Sequence, residues 1–271
     1  MNYPTTARKG RGFDDVVKKL VSGTIDTSKE PVVTTRQFKQ LFEQYQQMLQ
    51  YDLSNVQIYF QHLGGGKTLE QHVQEIAQEV SDVLNPAQIN AVLQATLPYE
   101  DVLSYPFVTG ILITRLLQNS YDAGNNDFAL DTSTLPLLEN LASRLCGTLE
   151  RKVSLAVTGG VGNSFGLKAR YCSFVSHGSA GMSYGYGALE CRYEIYGGCI
   201  SPAVDVSDSE LIFHGEIKNM KESHGYKIQD SIFRTSYREN ISELLMLVPC
   251  NRGNKIYFID EAGKEELVRN E

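Results

Sequence analysis

A repeat with a period of about 19 positions, beginning at Val153, constrains the fold of this chain more than any other feature of its sequence. Three alternating residues recur at offsets of 19, 19 and 18, and each triplet is followed two residues later by glycine. The triplets are Val153/Leu155/Val157, Cys172/Phe174/Ser176, Cys191/Tyr193/Ile195 and Ser209/Leu211/Phe213, and the glycines are Gly159, Gly178, Gly197 and Gly215. A period of two inside a longer period is typical of short strands that stack coil upon coil.

The repeat predicts a solenoid of parallel coils. Each strand should pair with the same strand of the next coil at about 4.8 Å, so that the inward residues stack. Glycine corners would allow positive φ or close backbone approach. Two coils share three further small residues at equivalent positions: Gly162 and Gly181, Gly166 and Gly185, Ala169 and Ala188. We therefore predict a right-handed parallel β-helix over residues 151–235.

These residues resemble the GXGXG β-helix, which forms the last domain of the glutamate synthase large subunit and also occurs in formylmethanofuran dehydrogenase. Residues 169–188 read ARYCSFVSHGSAGMSYGYGA and keep the family spacing at Ala169, Phe174, Gly178, Gly181, Gly185 and Ala188. Cys172 stands at the first glycine of the family pattern and Ser176 at its valine. The resemblance covers residues 151–235 and implies a scaffold that packs against other parts, so it predicts architecture and assembly more than chemistry.

The first half of the chain has a helical period. Apolar residues three and four apart predict helices over 35–51, 68–84, 86–97, 106–120 and 135–146. The last helix should end at a left-handed Gly147 and cover the first coil at Val153. The predicted class is α+β: a flexible lead-in at 1–33, a helical bundle at 34–150, the β-helix, and a C-terminal cap or hairpin at 236–271.

A glycine loop in the helical half raises an alternative, a nucleotide-binding enzyme. The candidate phosphate-binding residues are Gly64, Gly65, Gly66, Lys67 and Thr68. Gln61, however, stands where a phosphate-binding loop needs glycine. Asp260 and Glu261 end a strand that could hold Mg²⁺, but they lie far along the chain, beyond the solenoid. A loop before a capped helix and a hairpin turn at 260–264 account for both features more simply. An enzyme with a pocket between the two halves is a further alternative.

The sequence assigns no catalytic residue, metal site or cofactor. His177 and His214 fall in one column with Tyr196 between them, about 9.6 Å apart and too distant to share a metal. Cys172 and Cys191 stack one coil apart and are expected to be buried, reduced thiols. No Cys-x-x-Cys, Ser/His/Asp or paired-carboxylate pattern stands out.

Composition narrows the class of protein. A net charge of -7 argues against nucleic acid as a partner, and an odd number of cysteines, five, favours reduced thiols in the cytoplasm. No apolar run is long enough to cross a membrane. The repeat carries Tyr171, Tyr184, Tyr186, Tyr193 and Tyr196. Some of these are expected to be stacked core aromatics, and the remainder to form a contact face. We predict a cytoplasmic, non-catalytic scaffold or assembly protein that binds a protein partner or itself through this face or the C-terminal segment.

Overall fold

The computed structural model describes residues 35–50, 75, 77–200, 205–218, 227–249 and 252–270. The predicted lead-in at 1–33 and the glycine loop lie outside these residues. Among the described residues, the α-helices with defined ends are α1 (Thr35–Leu49), α2 (Pro86–Ala95), α3 (Tyr105–Asp122) and α4 (Asn240–Leu247). The strands are β1 (Asp127–Asp131), β2 (Val153–Thr158), β3 (Cys172–Ser176), β4 (Arg192–Ile195), β5 (Cys199–Ile200), β6 (Glu210–Phe213), β7 (Ile217–Lys218), β8 (Ile232–Thr235), β9 (Lys255–Ile259) and β10 (Glu265–Asn270).

One long sheet runs along the repeat. Its strands pair in parallel in the order β1-β2-β3-β4-β6-β8-β9, and β10 pairs antiparallel with β9. The register places Ser154, Ser173, Arg192 and Glu210 side by side, which reproduces the offsets of 19, 19 and 18. The next two coils are longer, and β5 pairs with β7 on another side of the coils. The chain thus forms a parallel β-solenoid of about five turns with coils of about 19 residues, which confirms the repeat.

The middle column of inward side chains is apolar and aromatic. It consists of Leu155, Phe174, Tyr193, Leu211, Phe233 and Ile256, each at most 1% exposed. The Phe174 and Tyr193 rings lie 4.9 Å apart. Tyr193 buries its hydroxyl group by donating to the Gly166 carbonyl at 2.8 Å. Burying such side chains stabilises the fold by about 1.5–3 kcal/mol each, so this column contributes substantially to the stability of the solenoid.

A second inward column changes from apolar to polar along the solenoid. Its members are Val153, Cys172, Cys191, Ser209, Ser231 and Asn254, all nearly fully buried. Asn254 Oδ1 accepts the Ser231 N–H at 3.0 Å, and Ser231 Oγ accepts the Ser209 N–H at 3.3 Å. Ser209 Oγ in turn accepts the Cys191 N–H at 3.1 Å. Each buried side chain therefore satisfies a backbone donor of the preceding coil, which fixes the stacking of the later coils.

The glycines that follow the strands lie where backbones of adjacent coils touch. A Cβ atom on Gly178 would lie 2.5 Å from the Gly159 carbonyl oxygen, and one on Gly197 would lie 2.5 Å from the Gly178 carbonyl carbon. Of these three, Gly159 alone has a positive φ, 107°. Neither Gly178 nor Gly181 has a positive φ, so close backbone approach is the reason for glycine at these two positions. The repeat requires glycine there because any side chain would collide with the neighbouring coil.

In the first three coils a left-handed corner lies elsewhere, and the first of these corners explains an error in the helix prediction. Every second residue has a positive φ at Ser164, Gly166 and Lys168, and again at the equivalent positions of the next coil, Ser183, Gly185 and Gly187. The same pattern occurs earlier at Asn140, Ala142 and Arg144. Residues 135–146 consequently form the first corner of the solenoid, and the predicted helix is wrong. Gly147 is not left-handed; a Cβ there would lie 2.5 Å from the Tyr171 carbonyl oxygen.

Helix α3 covers the first coil in place of the helix expected there. The Pro106 carbonyl accepts the Glu139 N–H at 3.1 Å. Further along the same face of α3, Thr114 Oγ1 accepts the Ala142 N–H at 2.7 Å, and Gln118 Oε1 accepts the Cys146 N–H at 2.9 Å. These donors belong to the outermost coil, so α3 supplies acceptors that a preceding coil would otherwise provide.

Helix α2 covers the free edge of β1. Asn90 Oδ1 accepts the Asp131 N–H at 2.9 Å, and Gln94 donates to the Asp131 carbonyl at 2.6 Å. The helix starts as predicted, because the Asn85 and Gln88 side chains each accept the other residue's backbone N–H. The edge strand is thus closed to further pairing by two amide side chains.

The remaining predictions concern the limits of the helices, the C-terminal hairpin and membrane-spanning segments. Helices α1, α2 and α3 lie within two residues of their predicted limits. Residues 80–85 are not helical, so the helix predicted over 68–84 ends earlier, and its residues 68–74 are not described. The hairpin expected between KIYFI and EELVR is formed by β9 and β10. Among the described residues, no helix has both the length and the apolar content needed to cross a membrane.

Candidate functional site

The outward face of the long sheet carries a network of charged side chains. In-register pairing brings residues of one column about 4.8 Å apart, so Arg192 on β4 lies beside Glu210 on β6. Arg192 pairs with Glu194 at 2.7 Å and with Glu210 at 3.0 Å. Arg234 on β8 pairs with Glu210 and, at 2.8 Å, with Glu265 on β10. The network therefore ties three coils and the terminal hairpin together on one face.

A column of three stacked rings lies beside this network. His177, Tyr196 and His214 each follow a strand of the sheet, and their ring centroids are 5.2 and 4.4 Å apart. The predicted column is thus confirmed, with Tyr196 separating the two histidines. In the part of the chain that the structure describes, no group of three or more His, Cys, Asp or Glu side chains could hold a metal ion.

The ring column ends in an arrangement of serine, histidine and glutamate. His214 Nδ1 lies 3.3 Å from Ser236 Oγ, and His214 Nε2 lies 3.0 Å from Glu194 Oε1. Partial burial raises the pKa of Glu194, but hydrogen bonds from His214 and Arg192 outweigh it and hold that pKa below its ordinary value. Tyr196 also donates its hydroxyl to Glu194 at 3.0 Å. Glu194 is therefore ionised and fixes the orientation of the imidazole.

This arrangement was not expected from the sequence. Ser236 follows His214 at an offset of 22, whereas the recognised repeat has offsets of 18 and 19. The position of Ser236 could have been predicted from the later triplet Ser231/Phe233/Thr235. This triplet continues the alternation of the repeat and places Ser236 at the end of the ring column.

The chemistry open to this site is general-base activation of a hydroxyl. Glu194 only accepts hydrogen bonds, so the neutral imidazole of His214 carries its proton on Nε2 and presents the Nδ1 lone pair to Ser236. Two nearby N–H groups are already engaged: that of Ser236 donates to the Phe213 carbonyl at 3.0 Å, and that of Tyr237 to Thr235 Oγ1 at 3.1 Å. Neither can stabilise an oxyanion without breaking its bond.

A groove of about 550 Å³ runs along one corner of the solenoid. Its rim carries Glu190, Asp208 and Asp230, one per coil, each with φ between 47° and 56°. Lys152 lies at the same rim and pairs with Glu190 at 3.8 Å. The rim of the groove is therefore acidic, and its carboxylates lie one coil apart because the fold stacks the coils.

The cysteines are free thiols, and three of the four described are buried: Cys172, Cys191 and Cys199. The hydrogen bond from Cys191 and burial both raise the pKa of Cys172. Burial raises the pKa of Cys199 to about 11. Cys172 and Cys191 are thus buried and form no disulfide, which confirms the predicted burial; their reduced state stays a prediction.

The remaining candidate residues divide into three groups. The glycine loop, Gly64, Gly65, Gly66, Lys67 and Thr68, lies outside the described residues. Asp260 shapes the hairpin turn, because its Oδ1 accepts the N–H groups of Ala262 and Lys264 at 2.9 and 2.8 Å. Tyr184 and Tyr193 are fully buried and are therefore among the core aromatics expected within the five tyrosines, whereas Tyr196 is 46% exposed.

The chain matches no protein-family model, no curated protein and no solved structure.

Proposed function

We propose that this chain is an interaction or assembly protein whose solenoid is a right-handed, GXGXG-type scaffold joined to an N-terminal helical bundle. One observation supports this best: in the described residues, every buried side-chain nitrogen and oxygen atom has a hydrogen-bond partner. Ligand pockets usually present convergent polar groups to their ligand. A satisfied interior leaves the surface as the place for a partner. The free thiols of the described cysteines support the proposed cytoplasmic location.

The C-terminal cap is the part of that surface we propose for association. Helix α4 buries Leu244 and Leu247 against the solenoid but leaves Met246 69% exposed. Leu267 on β10 is 47% exposed, and Tyr237 before α4 is 37% exposed. Exposed large apolar side chains on the cap favour contact with a second copy of the chain or with another protein.

Light scattering of the full chain at tens of micromolar tests the proposal. Removing residues 249–271 is unsuitable, because this deletion takes away β9 and its buried Ile256. The better perturbation is Met246→Lys combined with Leu267→Lys. Leu103→Lys is the matched control, since Leu103 is also 69% exposed but precedes α3.

We expect the wild type to have at least twice the mass of the 30.2 kDa chain, or to retain a protein partner from its native host. The double variant should lose that association and the control should keep it. A wild-type monomer that purifies without any partner would contradict the proposal.

An enzyme is the second candidate, and the contacts among Ser236, His214 and Glu194 are the observation that favours it.

A further inference from the structure

We propose that Ser236 is an activated nucleophile that accepts acyl groups from activated esters or thioesters. This activity would reside on the outward face of the long sheet and does not depend on the proposed assembly role. The argument rests on the neighbours of His214 and on the accessibility of Ser236.

His214 is held as a general base by contacts on both of its nitrogens and on its ring face. Glu194 accepts from Nε2 at 3.0 Å, and Ser236 Oγ lies 3.3 Å from Nδ1. The Tyr196 ring lies parallel to the imidazole at 4.4 Å and restricts its rotation. When His214 takes a proton, the ionised Glu194 and the Tyr196 π face both stabilise the imidazolium.

Ser236 is open to a substrate. It is exposed at the end of β8, and its side chain lies on the outward face. Because the nearby N–H groups of Ser236 and Tyr237 are engaged, these two groups offer little stabilisation to an oxyanion. An oxyanion donor typically contributes about 10²–10³ in rate. Ser236 should therefore react only with acyl groups whose leaving group is a weak base, such as an aryl oxide or a thiolate.

The reaction is an acyl transfer with no redox change. Ser236 Oγ forms a bond to the acyl carbon while its proton passes to His214 Nδ1. The bond from the acyl carbon to the leaving oxygen or sulfur then breaks, and the leaving group takes the proton from His214. In a second step water attacks the acyl-serine ester, His214 accepts the water proton, and Ser236 is regenerated by proton return.

A fluorophosphonate probe tests this directly, because serine attack displaces fluoride and leaves a stable phosphonyl ester. The folded full chain is incubated with the probe, and the labelled peptide is identified by mass spectrometry. We expect labelling at Ser236 that Ser236→Ala abolishes. His214→Gln should slow it about 10²-fold, the effect of losing a general base.

Two matched variants serve as controls. His177→Gln removes the other histidine of the ring column, and Ser173→Ala removes an outward serine of β3 that pairs with Arg192. Both should label like the wild type. If His214→Gln does not fold, the wild type is compared with the urea-unfolded chain, where activation is lost and Ser236 should react more slowly. Labelling of Ser236 no faster than that of Ser173, or equal rates in the folded and unfolded chain, would overturn the proposal.

Discussion

Gly197→Ala should destabilise the solenoid strongly, although the added group is a single methyl. Its Cβ would lie 2.5 Å from the Gly178 carbonyl carbon and 2.6 Å from the Ser179 nitrogen, both in the preceding coil. An ordinary carbon contact is about 3.5–4.0 Å, so the two coils would have to separate by about 1 Å at this point. The hydrogen bonds from the N–H groups of Gly197 and Tyr196, at 3.0 and 2.9 Å, join the coils there and would weaken.

The magnitude follows from these contacts. Overpacking costs about 1–3 kcal/mol, and each weakened hydrogen bond contributes up to about 1 kcal/mol, so the free energy of unfolding should fall by about 2–4 kcal/mol. For a chain of this size the melting temperature should fall by about 5–15 °C. Thermal and urea unfolding followed by circular dichroism measure both quantities.

Gly198→Ala is the matched control. Gly198 is the next residue, neither glycine has a positive φ, and the nearest atom to a Cβ on Gly198 is the Glu216 carbonyl oxygen at 3.3 Å. This variant should lose less than about 1 kcal/mol. Equal stability of the two variants would refute the close-approach explanation of the glycine column.

Three further predictions concern buried and partly buried groups. A disulfide reagent should modify exposed Cys146 rapidly and Cys172 and Cys199 slowly in native buffer, because burial and raised pKa values suppress the thiolate; equal rates would place the buried thiols at the surface. Asn240→Ala should lower the free energy of unfolding, measured in urea, by about 2–4 kcal/mol. The reason is that Asn240 Oδ1 accepts the Ile217 N–H and Nδ2 donates to the Gly215 carbonyl, both at 2.9 Å. A loss below about 0.5 kcal/mol, the size of an ordinary surface change, would refute this. Glu194→Gln should lower the free energy of unfolding at pH 7. This loss should shrink as the pH falls below about 4.5, because the pKa of Glu194 is depressed in the folded protein and the carboxylate stabilises the fold only while it is ionised. A pH-independent difference between variant and wild type would contradict the ion-pair account.

Features with a local side-chain period could be predicted from the sequence. The strands of the repeat and helices α2 and α3 follow from spacings of two, three and four residues. Residues 135–146 misled the same reasoning, because Leu138, Leu141 and Leu145 have helical spacing but point into the solenoid from a corner. Asn140 is left-handed without being glycine, and the bridge from this first coil to the next, Cys146 to Arg170, spans more of the chain than the repeat does. Neither the left-handed Asn140 nor the greater length of this coil is marked by a recognisable pattern in the sequence.

The candidate site depended on register rather than on local pattern. The column of His177, Tyr196 and His214 was predictable because its offsets match the repeat. The contact of His214 with Ser236 arises only when a coil longer than the repeat returns to the same sheet.

Stacking in register is the claim on which the glycine column, the polar column and the serine site all depend. The most direct test is the distance between spin labels at Thr158→Cys and Ser236→Cys, measured by double electron–electron resonance with Cys146 and Cys250 replaced by serine. These two positions lie at the ends of the ring column, four coil spacings apart. With about 4.8 Å per spacing, we predict a single narrow distribution near 19 Å, broadened only by the label linkers. A mean distance above about 35 Å, close to twice the four spacings, or a broad distribution without a maximum, would contradict the stacked coils.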